Sequence, residues 1–453
     1  MEESWKTDLE RWLAPFLAGL SHPARRRMCP LYVSGLIGPG DRKSVQPMAV
    51  RVGDVGYDQL HHFIADGVWD SEPLAVALLK EADRLVGSPA GFLVVDDTAL
   101  PKKGQGSVGV APQYASSLGK TCNCQSLVSV TLASGEVPVM VGLRLFLPET
   151  WTDDPERMTR ARVPKNRQVV LTKPEIAIEE IDRVIASGAR FGCVLADAGY
   201  GSSRSFRQAL TERSLSWAVG LSRRQNVYPA DVALTFPVAN TGRRRQYHIP
   251  DRPPVSADMM LSGATWQKIN WRRGTKGPLA CLFAARRVRV ADGHKHRMID
   301  NRMQCMPGDE VWLVGERRST GEEKYYVSNL PADATLRTLA ATIKARWVCE
   351  QAHQQLKEEL RPRPLRRKIL DRVTSPRLDD DDRLRLPPIP PPQGSGAEKK
   401  ESAGHHRSRA CRPSGKRSST SSHDLRPGDA YNARSSLPRN VIQTCQSSAR
   451  PIV

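Results

Sequence analysis

The chain has 453 residues, 39% hydrophobic and 26% charged, with 68 Lys and Arg against 48 Asp and Glu. That length accommodates two or three domains with a real core, and the cation excess points to a polyanionic partner, most commonly nucleic acid. No apolar run is long enough to span a membrane. The acidic start "MEES" lacks the basic region of a secretory leader, and nine scattered cysteines form no disulfide framework. The expectation is a soluble cytoplasmic protein, nucleoid-associated and without a membrane partner.

Residues 1–85 read as a helical, DNA-binding N-terminal region. Trp5, Leu9, Trp12, Leu13, Phe16, Leu17 and Leu20 keep helical spacing, and the runs "ARRRM" and "GDRKS" add positive charge. Ser71-Glu72-Pro73 predicts a further helix start, with Pro in the first turn where its missing N–H costs nothing.

Residues 86–222 change to an α/β pattern. The run "FLVV" is continuous and apolar, as a buried strand should be. The segment "SLVSVTLASGEVPVMVGLRLFL" predicts a hairpin turning at Ser134-Gly135. A helix over Pro174–Ala186, the strand "FGCVLAD", a helix over Ser203–Arg213 and the strand "SWAVGL" follow. Together these predict a mixed sheet with flanking helices. Residues 223–331 break into short strand-like pieces, which reads as a β-rich insertion, and residues 332–360 return to helix.

Three acids stand out. Asp96 follows "FLVV", Asp197 follows "CVLA", and Glu350 lies on the late helix. Acids at the C-terminal ends of neighbouring strands meet at one sheet edge. Three carboxylates from distant parts of a chain suit a pair of Mg²⁺ ions, which take oxygen ligands and keep several waters. Taken singly, each acid also reads as a strand-end cap or an exposed helical Glu. On the late helix, Arg346, Glu350 and Lys357 share one face, while Val348, Ala352, Leu356 and Leu360 form a separate apolar stripe. The Arg346–Glu350 spacing alone also fits an ordinary surface ion pair.

These residues carry a resemblance. The chain resembles the DDE transposases of bacterial insertion sequences, in the branch with a β-rich insertion before the last acid. "VVDDT" is similar to the first-Asp motif, with Asp96 as the ligand and Asp97 as the alternative. "LADAGYG" is similar to the second, centred on Asp197. "RWVCEQAHQQLK" is similar to the helical signature, with Arg346, Glu350 and Lys357 matching and Ile343 standing where that family carries Tyr. The resemblance implies an RNase H-like core in which Asp96, Asp197 and Glu350 bind Mg²⁺ (or Mn²⁺) and catalyse DNA cleavage and strand transfer. It further implies double-stranded DNA partners, namely terminal inverted repeats and target DNA, and a homodimer on paired ends. An aromatic of the insertion would hold a flipped base, with Trp266, Trp271 and Trp312 as candidates.

Two further motifs read as structure. "GQGSVG" fits a dinucleotide fingerprint only by spacing, because no strand enters it directly and a Pro stands where its helix would begin. It reads as a loop that frees Lys102 and Lys103 to meet DNA. "CNC" at Cys122 and Cys124 is too tight for a zinc knuckle and reads as two free thiols near a strand start.

After Leu360 the helical pattern stops. Pro362 and Pro364 break it, and residues 361–453 hold 20 Lys and Arg against 9 Asp and Glu, a low-complexity composition that cannot support a core. The resembled family continues here with an apolar helical segment. Codons chosen as CGG-CCT-CGA-CCA-CTT-CGA-AGG encode Arg-Pro-Arg-Pro-Leu-Arg-Arg. Shifted by one base, they read Gly-Leu-Asp-His-Phe-Glu, the start of that segment. The expectation is a frameshift after Leu360 and an out-of-frame tail. The alternatives are a genuine basic tail that binds DNA and a non-catalytic DNA-end-binding remnant.

Overall fold

The computed structural model describes residues 2–38, 43–53, 55–65, 70–115, 118–236, 247–274, 277–293, 296–299 and 302–359. All of these belong to the first of two units, Met1–Arg383; the second is Leu384–Val453. The expected tail, residues 361–453, lies outside the described residues.

Five helices open the chain: α1 (Glu2–Ala18), α2 (Pro23–Ile37), α3 (Val45–Val52), α4 (Tyr57–Ala65) and α5 (Glu72–Val86). Helices α2 to α4 enclose their own apolar cluster of Met28, Tyr32, Met48, Leu60 and Phe63. Helix α5 starts at Ser71 with Pro73 in its first turn and sends Leu79, Ala82 and Val86 into the main core. The apolar stripe predicted for the first helix is narrower than its spacing: Leu13 and Phe16 of α1, and Leu20 just after it, are buried, whereas Trp12 is exposed.

The middle of the chain contains β1 (Phe92–Pro101), β2 (Ala111–Ala115), β3 (Lys120–Ser134), β4 (Val137–Leu145), α6 (Glu149–Thr152), α7 (Pro155–Arg160), α8 (Lys173–Ala186), β5 (Cys193–Ala196), α9 (Ala198–Gly201), α10 (Arg204–Glu212) and β6 (Trp217–Leu221). The hairpin turns where expected, between Ser134 and Val137, with Gly135 supplying the left-handed backbone (φ 60°). Helix α8 is fixed at its start by a capping box, in which Thr172 and Glu175 each accept the other's backbone N–H. "GQGSVG" is a loop that leads into β2, and Cys122 and Cys124 lie within β3 as free thiols.

The remaining elements are β7 (Asn226–Pro229), β8 (Leu234–Thr235), β9 (Ile249–Pro250), β10 (Val255–Ser256), α11 (Ala257–Ser262), β11 (Gln267–Gly274), β12 (Gly277–Val290), β13 (His296–Ile299), β14 (Arg302–Cys305), β15 (Glu310–Arg317), β16 (Glu323–Ser328), α12 (Leu336–Lys344) and α13 (Trp347–Glu359). The main sheet runs β10-β7-β12-β15-β16-β6-β5-β1-β3-β2, with β11 beside β12 and β4 beside β3. Strands from residues 223–331 therefore extend this same sheet through the β16–β6 pair. The pairs β1–β5 and β5–β6 are parallel, and β1–β3 is antiparallel, so the sheet is mixed.

Strand alternation decides what lies on each face. Leu93 and Val95 point into a core with α5, α8 and α10, through Ile176, Ile181, Val184, Phe206 and Leu210. Val94 points the other way, against Leu339, Ala340, Ile343, Val348 and Cys349 of α12 and α13. One expectation needs correction. Asp96 does not end its strand, because β1 runs on to Pro101 in register with β3. What stops beside it is the parallel pairing with β5, whose last matched pair is Val95 with Ala196.

Candidate active site

The alternation that buries Val94 under α12 and α13 places Asp96 on that same face and Asp97 on the opposite one. Asp97 is fully engaged there. Its Oδ2 receives Lys173 Nζ of α8 at 2.6 Å, and the Tyr200 hydroxyl donates to its Oδ1. Burial and the adjacent Asp97 carboxylate both push the Tyr200 phenol far above its ordinary pKa, so it stays a donor. Asp96 is the acid that faces α13. Its Oδ1 accepts the Asp97 backbone N–H at 2.9 Å, and Arg346 Nη1 approaches its Oδ2 at 3.4 Å.

Asp197 directly follows β5. Since Val95 pairs with Ala196, Asp96 and Asp197 are the next residues on neighbouring parallel strands, whose backbones lie about 4.8 Å apart. Asp197 caps α9: its Oδ1 accepts the N–H groups of Gly199 at 2.9 Å and Tyr200 at 3.3 Å. The cap rests on a close approach of backbone to backbone. A Cβ on Gly220 of β6 would lie 2.5 Å from Ala198 N, and one on Gly201 would lie 1.9 Å from Gly220 O. We expect Gly220→Ala to push α9 off β6, lowering stability by about 1–3 kcal/mol. Asp197 should be displaced with it. Denaturant unfolding checks the first effect and DNA cleavage the second. Unchanged values for both would show that the contact relaxes freely.

Helix α13 lies over the same face. Val348, Cys349 and Ala352 are buried against the sheet, as the predicted stripe required at Val348 and Ala352. The other two stripe residues, Leu356 and Leu360, lie outside the described side chains. Glu350 is 61% exposed and receives Arg346 Nη2 at 2.6 Å. Arg346 thus bridges Asp96 and Glu350, a cation held between two of the three predicted acids. Desolvation works against its charge, but Asp96, Glu350 and Asp197 outweigh that cost and raise its pKa. Lys357 is on α13, but its side chain lies outside the described residues.

Asp96 has a side chain only 16% exposed, and its pKa is raised to about 6. Burial is the main cause, and the charges of Asp197 and Asp97 add to it, against the pull of Arg346 and the Asp97 N–H. A buried carboxylate of this kind is stabilised by a nearby cation. Asp96 and Asp197 offer the oxygen donors that a hard divalent ion takes, but among the described residues Asp96, Asp197 and Glu350 do not bring their ligand atoms within 4.8 Å of one another.

Other expected contacts are placed differently. Lys102 and Lys103 follow the end of β1, six and seven residues beyond Asp96, so about 20 Å along the strand direction. Lys102 is half-buried and Lys103 exposed. Trp271 packs edge-on against Phe283 and is part of the core. Trp266 lies under Arg317. Trp312 lines a pocket of about 410 Å³ together with Arg286, Gln267, Ala334, Leu336 and Leu339, and Arg287 stacks on its ring.

Sequence reasoning missed two groups. Cys349 and His353 point toward Asp96 from α13, one turn apart, and were hidden inside a helix read only for its acid and its cations. Lys173 and Tyr200 hold Asp97, and no local spacing links them to it. Among the described residues, no helix is long and apolar enough to cross a membrane.

A curated relative, the probable transposase for insertion sequence element IS701 from Microchaete diplosiphon, is 33% identical over 195 residues, covering 43% of this chain. The chain spans 48% of that relative's length. The solved NurA nuclease from Sulfolobus solfataricus aligns over 65% of this chain and 90% of its own, at 10% identity and a TM-score of 0.26, too low a likeness to inform the fold. Residues 15–278, more than half of the chain and including Asp96 and Asp197, match the DDE superfamily endonuclease family, and the chain belongs to that family.

Proposed function

We propose that this endonuclease is an insertion-sequence transposase with an RNase H-like core, acting by a two-metal mechanism on double-stranded DNA. It would cleave at the terminal inverted repeats and transfer the freed 3′-hydroxyl to target DNA. The observation that carries the reading is the meeting of Asp96 and Asp197 at one level of the sheet, under a helix that brings Glu350 to the same face. The name of the curated relative supports it. In this reading Asp96, Asp197 and Glu350 hold Mg²⁺ (or Mn²⁺), which when bound would activate the attacking oxygen and offset charge on the leaving one. Arg346 then leaves the carboxylates and faces the scissile phosphate, where a guanidinium binds well. Lys357, Lys102 and Lys103 contact the DNA backbone. Residues 1–85 bind the element end, two copies pair the ends, and the pocket beside Trp312, between the 223–331 segment and α12, takes a flipped base.

The test uses purified protein, Mg²⁺ and DNA carrying the element's own ends. Asp197→Asn and Glu350→Gln should each lower cleavage about a thousandfold or more. Asp97→Asn, on the other face, should stay within about tenfold of the parent. All four proteins should still shift the DNA in a gel. Equal cleavage by Asp197→Asn would overturn the assignment, and end binding with no cleavage by any of them would favour a non-catalytic remnant.

We also propose that the reading frame changes after Leu360, so that residues 361–453 are out-of-frame translation. The frameshift would remove the helices that pack behind Glu350. Resequencing the gene across the codons for Leu360 to Pro392 should find the family's apolar helical segment in the neighbouring frame. Restoring that frame should raise soluble yield and transposition. If the neighbouring frame encodes no such segment, the proposal is wrong and the basic tail needs its own account.

A further inference from the structure

On the face where Asp96 meets α13, three different ligand types converge. The Asp96 carboxylate, the Cys349 thiol and the His353 imidazole each present a ligand atom, and all three atoms lie within 4.8 Å of one another. The cysteine and histidine are four residues apart on one helix, so they stack on its sheet-facing side. Cys349 is fully buried and His353 half-buried. Both are steered from β3: Thr131 Oγ1 lies 3.6 Å from Cys349 Sγ, and Ser129 Oγ lies 3.2 Å from His353 Nε2. Ser129 also donates to the Asp96 backbone carbonyl at 3.0 Å. Strand β3 therefore positions both helix side chains and the strand that bears the acid; a metal bound through His353 Nε2 would displace the Ser129 contact, while the Thr131 hydroxyl can stay on the Cys349 sulfur.

This set is chemically unlike the three acids. A thiolate and an imidazole suit Zn²⁺, with sulfur at about 2.3 Å and nitrogen at about 2.0 Å, whereas Mg²⁺ takes oxygen and leaves sulfur alone. Bonds of that length put neighbouring tetrahedral ligands about 3.3–3.7 Å apart. The spacing in the structure, which includes 3.9 Å between Cys349 Sγ and His353 Nε2, needs only a small contraction to reach it. We propose that Asp96, Cys349 and His353 form a Zn²⁺ site with one open position, separate in its soft ligands from the catalytic set but sharing Asp96 with it. Binding releases the thiol proton of Cys349 to solvent and ties up Asp96. Zn²⁺ at this site would therefore inhibit Mg²⁺-dependent cleavage, a consequence that rests on the catalytic reading. The binding itself does not rest on it.

Cobalt(II) gives a readout independent of activity, because a bound thiolate produces a charge-transfer absorption that oxygen ligands lack. The full chain, reduced and metal-free, should take up Co²⁺ with such a band and lose it when Zn²⁺ is added. Cys349→Ala should lose the band, and His353→Gln should weaken the uptake about tenfold. His353→Gln serves as the second probe should the buried Cys349 position tolerate change poorly, and circular dichroism confirms that each variant is folded. Absence of the band in the parent chain, or equal bands in parent and both folded variants, overturns the site. Cleavage measured on the same samples separates the two claims. Zn²⁺ in micromolar amounts against millimolar Mg²⁺ should slow the parent about tenfold or more and Cys349→Ala much less. A thiolate band in a protein that cleaves nothing would leave the metal site standing and overturn the catalytic reading.

Discussion

Asp96→Asn is expected to abolish DNA cleavage and, at the same time, to make the metal-free protein more stable at neutral pH. Burial holds the Asp96 carboxyl at about 6, above its ordinary value of 3.8. A group with a raised folded pKa binds more protons in the native than in the unfolded state, so stability falls as pH rises from about 4 to about 6. Above that window the native state carries the full cost of a desolvated charge. Two pKa units correspond to about 3 kcal/mol. The amide keeps an acceptor for the Asp97 N–H but sets its own donor toward Arg346, so the net gain is smaller, about 1–2 kcal/mol. Urea unfolding without divalent ions at pH 8 and at pH 4 tests this. The variant should be the more stable protein at pH 8, with the advantage gone at pH 4. Equal stability at pH 8 would mean that Arg346 already compensates the charge in full. Added Mg²⁺ should stabilise the parent and not the variant. Under the proposed function, an acid that costs the fold stability is expected where the residue serves to bind a cation.

Much of this site could be read from the sequence because its acids belong to short-range patterns. A buried strand announces itself by a continuous apolar run, and the acid after it is conspicuous; "FLVV" and "CVLA" marked Asp96 and Asp197 in that way. Which of Asp96 and Asp97 faces the site was left open, because adjacent strand residues face opposite ways and only the packing of α13 over one face breaks the tie. The extent of β1 is hidden in the sequence for a related reason. The acids at 96 and 97 look like a strand end, but antiparallel pairing with β3 carries the strand on to Pro101. Cys349 and His353 were legible as a helical i, i+4 pair and unremarkable as such. Their meaning comes from Asp96, some 250 positions away in the chain, which only the fold supplies. Lys102 and Lys103 were expected near the first acid from their nearness in sequence, yet an extended strand spends about 3.3 Å per residue and carries them away.

The second large effect is expected from Lys344→Met, at the end of the helix that leads into α13. Glu316 of β15 is fully buried, and its carboxylate is held by Lys344 Nζ at 2.7 Å, Tyr326 Oη at 2.9 Å and Arg318 Nε at 3.1 Å. Burial pushes the Glu316 pKa up, but the bonds from Lys344, Tyr326 and Arg318 outweigh it and leave it below its ordinary value. Such a group contributes stability above its unfolded pKa of about 4.3, and that stability is lost as pH falls through the folded pKa. Removing one partner of a buried pair leaves charge without its counter-charge, which costs about 3–5 kcal/mol. Arg318 and Tyr326 remain, so about 2–4 kcal/mol is expected for Lys344→Met at pH 7. The loss should shrink toward pH 4 as Glu316 takes up a proton. A double variant, Lys344→Met with Glu316→Met, should recover part of it, because two apolar side chains replace two charges. A midpoint of urea unfolding unchanged in Lys344→Met would show that Arg318 and Tyr326 satisfy Glu316 without Lys344. The effect should also reach cleavage. Lys344 ties α12 to β15, and Arg346, two residues on, bridges Asp96 and Glu350, so the anchor that holds α12 to the sheet also sets the position of the helix that carries Glu350.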